Sequence, residues 1–288
     1  MNNLITDIKN LENETIKNLK NSKSANTLRA YQSDYRDFSL FCQKNGFVTM
    51  PTKPKILALY LTHLSSNSKY STLKRRLASI SILHKMKGHY IDTKHPIIME
   101  NLMGIKRTIG SNQKGKKPLL INDLKLLIKA IHESNEKDFR KIRDKSLVLI
   151  GFSGGFRRSE LVDIQLDDVE FVSEGVKIFV KRSKTDQSGE GMTKAIPYFD
   201  NAKFCPVRAL KKWIDEASIK NGKIFNISDK SVALIIKKYA NYAGLNSNKY
   251  SGHSLRSGFA TSTAESGAEE RNIMAMTGHK STEMVRRY

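Results

Sequence analysis

The sequence predicts a mainly α protein with a small antiparallel β-sheet. It reads as an all-helical N-terminal domain at residues 1–110, a basic linker at 111–118 and an α+β domain at 119–288. Three observations carry that expectation. Apolar residues recur every three or four positions through most of the chain, the pattern of half-buried helices. Between residues 166 and 199 this gives way to short β-branched runs broken by glycine-containing turns, as in a hairpin sheet. Residues 111–118, SNQKGKKP, contain no apolar side chain but three lysines, a glycine and a proline, the composition of an exposed connection.

The N-terminal elements follow in order. Leu4, Ile5, Ile8, Leu11, Ile16 and Leu19 form an imperfect helical stripe. Ser24 is placed to cap a second helix in which Leu28, Tyr31, Tyr35, Phe38 and Phe41 repeat, with Gly46 as its stop. Pro51 and Pro54 open a third helix, KILALYLTHL, and Ser71 or Thr72 a fourth, which ends at Gly88. A fifth covers 96–109. Lys74, Arg75 and Arg76 sit near the start of the fourth helix, ahead of the stripe Leu77, Ile80, Leu83 and His84. Cations there oppose the helix dipole, which points to a ligand as much as to a solvated face.

Beyond the linker, INDLKLLIKAI gives a helix with Asn122 as its expected cap, and RKIRDKSLVLIGF a more buried one that the Gly154-Gly155 pair breaks. Strands are expected at 166–172, 176–182 and 193–199, with turns at Glu174-Gly175 and 186–191. Pro206 then starts one helix, Ser228 caps the next, and helices continue to the end.

Composition limits the partners. Fifty Lys and Arg against 28 Asp and Glu leave +22, more than solubility requires, so a polyanion is the expected partner; a merely basic protein gives the same sum. No apolar run reaches the roughly 18 residues of a membrane span. The N-terminus lacks the basic and apolar regions of a secretion signal. Cys42 and Cys205 stand in unrelated contexts, which suits a reducing cytoplasm and offers neither a disulfide framework nor a zinc site.

The chemistry gathers at the end of the chain. SGHSLRSGF brings His253 and Arg256 one helical turn apart, TGHKS adds His279, and MVRRY adds Tyr288. Upstream, GFSGGFRRSEL presents Arg157 on a glycine turn with Glu160 three residues on, and RSKTD places Lys184 at a hairpin tip. Displacement at a phosphodiester puts extra charge on the non-bridging oxygens, so fixed donors must surround it, and arginine's planar fork suits that need. Histidine can move the proton of a nucleophile, and a tyrosine with a pKa of about 10 must lose one as it attacks. Each residue alone has a plainer reading: a helix-start arginine, a C-cap histidine, a solvated turn lysine. No P-loop ending, HExxH or paired CxxC occurs, and no carboxylate cluster suggests a two-metal nuclease.

Together GFRRSEL, RSKT, HSLR, TGHKS and a tyrosine nine residues after the last histidine closely resemble the tyrosine recombinase (phage integrase) family, and most of all its simple Cre-type members. The resemblance implies a helical core-binding domain of SAM-like fold, then a tyrosine recombinase catalytic domain. It implies that Arg157, Arg256 and His279 hold the scissile phosphate and that His253 carries the nucleophile's proton. Lys184 would be the acid for the departing 5′-oxygen, Glu160 a brace, and Tyr288 the nucleophile that forms a 3′-phosphotyrosine bond without metal, cofactor or ATP. The implied partner is double-stranded DNA, gripped from two sides, with Lys74, Arg75, Arg76, Lys114, Lys116 and Lys117 on phosphates and a homotetramer on two sites. A cytoplasmic, nucleoid-associated site-specific recombinase is thus the leading expectation. A type IB topoisomerase-like enzyme and a catalytically impaired DNA-binding protein are the alternatives. The family normally continues past its tyrosine. A terminal carboxylate at Tyr288 would repel the phosphate, so a chain ending there is expected to bind DNA but cleave poorly and assemble weakly.

Overall fold

The computed structural model describes residues 8–112, 115–181, 190–279 and 281–286. The chain divides into two compact units, 1–114 and 115–288.

The first unit is helical throughout its described residues: α1 (Ile8–Asn21), α2 (Ala25–Lys44), α3 (Pro54–Ser65), α4 (Tyr70–Met86) and α5 (Pro96–Ile109). Ser24 caps α2 by accepting from the Thr27 N–H, and Pro54 and Pro96 occupy first-turn positions where a missing N–H costs nothing. Phe38, Leu57, Leu61, Leu73, Ile80, Ile98 and Leu102 form its core. His84 completes the apolar face of α4 because both ring nitrogens are used inside: Nδ1 bonds the Ile80 carbonyl (2.8 Å) and Nε2 accepts from the Thr52 N–H (3.3 Å). The fourth helix starts at Tyr70, without a side-chain cap, rather than at Ser71 or Thr72.

Two arginines of the basic cluster on α4 have acidic partners within the unit. Arg75 Nη1 is bonded to Asp34, which is buried on α2, and Arg76 Nη1 to Asp37 and to the Tyr60 hydroxyl. Ser79 also donates to Asp34, and Tyr60 to Asp37. The unfavourable placement of these two arginines against the α4 dipole is answered by carboxylates of a neighbouring helix, so the dipole does not argue for a ligand there. Lys74 stays exposed.

The second unit contains α6 (Ile121–Glu133), α7 (Asp138–Ser153), α8 (Arg158–Asp163), β1 (Val169–Val172), β2 (Gly175–Val180), β3 (Met192–Pro197), α9 (Pro206–Glu216), α10 (Asp229–Tyr242), α11 (His253–Glu265), α12 (Glu270–Thr277) and α13 (Thr282–Val285). The strands form one antiparallel sheet in the order β1-β2-β3, with Val176 opposite Ile196 and Ile178 opposite Lys194. A core of aliphatic residues from α6, α7, α9 and α10 packs with Val176, Ile178 and Ile196 of the sheet. The architecture is thus mainly helical with a small antiparallel sheet, as the sequence predicts.

Three details differ from expectation. The first strand begins late, because Leu166–Asp168 forms a 3-10 turn closed by the Asp168 carboxylate on the Gln165 N–H (3.1 Å), and acidic residues favour such turns over strands. Asn122 lies inside α6, which starts at Ile121 after Leu120. The end of the expected linker belongs to the second unit: the Lys117 N–H bonds the Lys249 carbonyl (2.8 Å) and the Leu119 N–H that of Ser254 (2.9 Å). Gly258 permits that approach, since a Cβ there would lie 2.0 Å from the Leu119 oxygen.

Candidate active site

The site begins where α7 stops. Gly154 caps α7, and Gly155 turns the chain with φ +55°, a conformation that favours glycine. A Cβ on Gly155 would also stand 2.9 Å from the Phe259 ring, so the turn lies tight against α11. The turn delivers Arg157 to the N-cap position of α8. Glu160, buried three residues on, receives both the Arg157 backbone N–H (2.9 Å) and Nη1 (2.6 Å). One carboxylate therefore caps the helix and aims the guanidinium. Arg157 Nη2 reaches the carbonyl of Gly278 (3.3 Å), 121 residues away.

Arg256 is 1 % exposed on α11, and its Nη1 donates to the Gly155 carbonyl (2.9 Å). The two arginines are thus pinned by one turn, Arg157 as its product and Arg256 through its carbonyl. His253 lies one helical turn before Arg256, at the exposed start of α11. Its pKa is held below the usual value by the dense packing around the ring, then by the cations Arg256, Arg157 and Arg158.

His279 follows Gly278, whose left-handed conformation (φ 63°) ends α12. Thr277 Oγ1 donates to the Ile273 carbonyl (2.5 Å), so toward the ring, where the Thr277 Oγ1 to His279 Nδ1 distance is 2.8 Å, it is the acceptor. Nδ1 carries the proton in that arrangement, and Nε2 is the acceptor of the neutral ring. Burial, then Arg256, Arg157, His253 and Lys194, bring the His279 pKa down to about 4.

Arg157 and Glu160 from one stretch, His253 and Arg256 from a second and His279 from a third thus converge in one basic cluster. Arg158 packs beside Gly252, next to His253, and its Nη2 lies 3.8 Å from Asp229. Lys184, Tyr288 and Lys114 lie outside the described residues. Lys116 and Lys117 are engaged within the second unit: Lys116 Nζ donates to the Asn248 carbonyl (2.7 Å), and Lys117 Nζ pairs with Asp123 (2.9 Å) and the Tyr250 hydroxyl (3.1 Å). Those bonds, like those of Arg75 and Arg76, give these cations protein partners. Sequence reasoning missed Thr277, which sets the His279 tautomer, and Lys194. The signal for Lys194 was present, a lysine in the inward phase of β3 two residues before Ile196.

Comparison with known proteins places this arrangement in a class. Residues 117–288 match the phage integrase family, and residues 16–89 match the phage integrase N-terminal SAM-like domain. The chain belongs to the phage integrase family, the tyrosine recombinases. An integrase/recombinase xerD homolog of Selenomonas ruminantium is 43 % identical over 285 residues, covering 94 % of this chain and 83 % of that protein. A tyrosine recombinase XerC of Thermodesulfovibrio yellowstonii is 25 % identical over 94 % of this chain and 87 % of its own length. Among solved structures, the XerH site-specific recombinase bound to its palindromic difH substrate aligns with a TM-score of 0.66 at 19 % identity, over 87 % of this chain and 72 % of that one. A lambda integrase dimer bound to a COC′ core site aligns with a TM-score of 0.60 at 17 % identity, over 92 % and 72 %. These two likenesses bear on the fold.

Proposed function

We propose that the chain is a site-specific DNA recombinase that cleaves and rejoins double-stranded DNA through a 3′-phosphotyrosine at Tyr288, with neither metal nor ATP. The observation that carries this reading is the pair of arginines pinned at one turn and braced by Glu160, with His253 and His279 close enough for both guanidiniums to lower their pKa. Arg157 and Arg256 hold the non-bridging oxygens of the scissile phosphate, where preorganised donors count most. His253, neutral near pH 7, takes the proton as the Tyr288 oxygen attacks phosphorus. The bond from phosphorus to the 5′-oxygen breaks, and Lys184 supplies the proton that this oxygen needs. His279 changes role as DNA enters, because the phosphate's charge draws a proton onto Nε2 and turns it into a donor. A 5′-hydroxyl of a second duplex then attacks the phosphotyrosine, restoring a phosphodiester and the tyrosine, so no external energy is consumed. Strand exchange on this scheme requires a homotetramer on two sites, with Lys74 and the linker lysine Lys114 meeting phosphates.

The test uses a duplex selected by binding from a random library, nicked so that cleavage traps the complex. A covalent protein–DNA band is expected from the protein and none from Tyr288→Phe. A band that survives Tyr288→Phe contradicts the assignment, and relaxation of supercoiled plasmid lacking the selected site identifies a topoisomerase instead.

A further inference from the structure

Lys194 is a cation where the fold calls for an apolar side chain. On β3 the inward positions are Lys194 and Ile196, and Lys194 is 0 % exposed. An ammonium there is costly unless each of its N–H groups finds an acceptor. Nζ donates to the carbonyl of Gly154 (2.7 Å) and to that of Met276, and stands 4.7 Å from the centre of the Phe156 ring, so three donors meet two carbonyls and a π-face. Both carbonyls close helices. Gly154 caps α7 and Met276 lies in the last turn of α12, so the charge sits at the negative ends of two helix dipoles.

Those two helix ends are the ones that deliver the site. Gly154 starts the turn that presents Arg157 and whose next carbonyl holds Arg256, while Met276 lies just before Gly278, which Arg157 contacts, and His279. These partners are 40 and 82 residues from Lys194 in sequence, and together with the Arg157 contact to Gly278 and the packing of Gly155 against Phe259 and Thr277, Lys194 Nζ ties the two turns together. We infer that Lys194 is the positioning residue that fixes the turn bearing Arg157 against the turn bearing His279, and thereby sets the spacing of the phosphate-holding groups. It also anchors β3. Burial, set against Glu160 and reinforced by Arg256 and Arg157, brings its pKa down to about 7. The inference rests on the recombinase reading for what the positioning serves.

The test compares Lys194→Met, which keeps the length and removes the donors, with Lys194→Arg, which keeps the charge. For Lys194→Met the rate of covalent complex formation at saturating DNA is expected to fall by about 10²-fold, the order of loss for a misplaced catalytic group, while the DNA Kd changes by less than about twofold. Lys194→Arg is expected to recover a measurable part of that rate. Unchanged cleavage by Lys194→Met, equal losses in binding and cleavage, or no recovery in Lys194→Arg overturns the proposal. Should Lys194→Met not fold, Lys194→Gln carries the same comparison. If the unsubstituted protein forms no covalent complex, the recombinase reading fails on its own. Lys194 is then judged by the side-chain nitrogen NMR signals of Arg157 and Arg256, expected to be single in the unsubstituted protein and broadened or doubled in Lys194→Met, with unchanged signals overturning the role.

Discussion

His279 shows how one residue records its surroundings. Its folded pKa of about 4 lies below the ordinary 6.5, so between these values the unfolded chain binds more protons than the folded one. Stability from this group is therefore complete above pH 6.5 and is lost as pH falls toward 4, by up to about 3 kcal/mol. Urea unfolding at pH 7 and pH 4.5 is expected to show a larger acid loss for the protein than for His279→Asn, and equal losses would contradict the assignment. The same residue explains part of what the sequence could not supply. TGHKS suggested a histidine at a helix end, and α12 does end there with Gly278 as its cap, but the His279 tautomer depends on Thr277 giving its hydroxyl proton to Ile273. That is a geometric fact with no periodic signature. For Lys194 the sequence carries the inward phase on β3 but not the carbonyl partners, which lie 40 and 82 residues away.

At the scale of elements, helices were legible wherever an apolar period met a proline or a capping serine, as at Ser24, Pro54, Pro96, Pro206 and Ser228. Boundaries without such a signal shifted, as at Tyr70 and Ile121. The site's helix turns were legible for the same local reasons: Gly154-Gly155 breaks α7, and a spacing of three residues puts His253 and Arg256 on one face of α11. Charge partners between helices were not legible. Arg75 and Arg76 read as ligand-seeking on α4, and only packing against α2 supplies Asp34 and Asp37. That difference is measurable. Arg76→Met leaves the half-exposed Asp37 and the Tyr60 hydroxyl without their cation and is expected to destabilise the protein by about 1–2 kcal/mol in denaturant unfolding. Lys74→Ala is expected to change stability by less than about 0.5 kcal/mol, and to lower the salt dependence of DNA binding by about one unit of log–log slope. A stable Arg76→Met or a salt slope unmoved by Lys74→Ala would reverse these assignments.

At the scale of the whole molecule, a charge of +22 on 288 residues provides non-specific attraction to DNA, and the phosphate chemistry is concentrated in the second unit. The cations separate by partner. Arg75, Arg76 and Lys117 answer carboxylates inside their own units, Lys194 answers carbonyls, and Arg157 is aimed by Glu160. A basic protein that merely coated DNA would have no use for a buried guanidinium such as Arg256, held 1 % exposed against the turn that presents Arg157. If this cluster serves covalent attack by one tyrosine, mass spectrometry of the digested covalent complex will show a peptide containing Tyr288 that carries a 3′-phosphoryl nucleotide, with a free 5′-hydroxyl on the released strand. Nucleotide on any other residue, or a released strand bearing a 5′-phosphate, would contradict it.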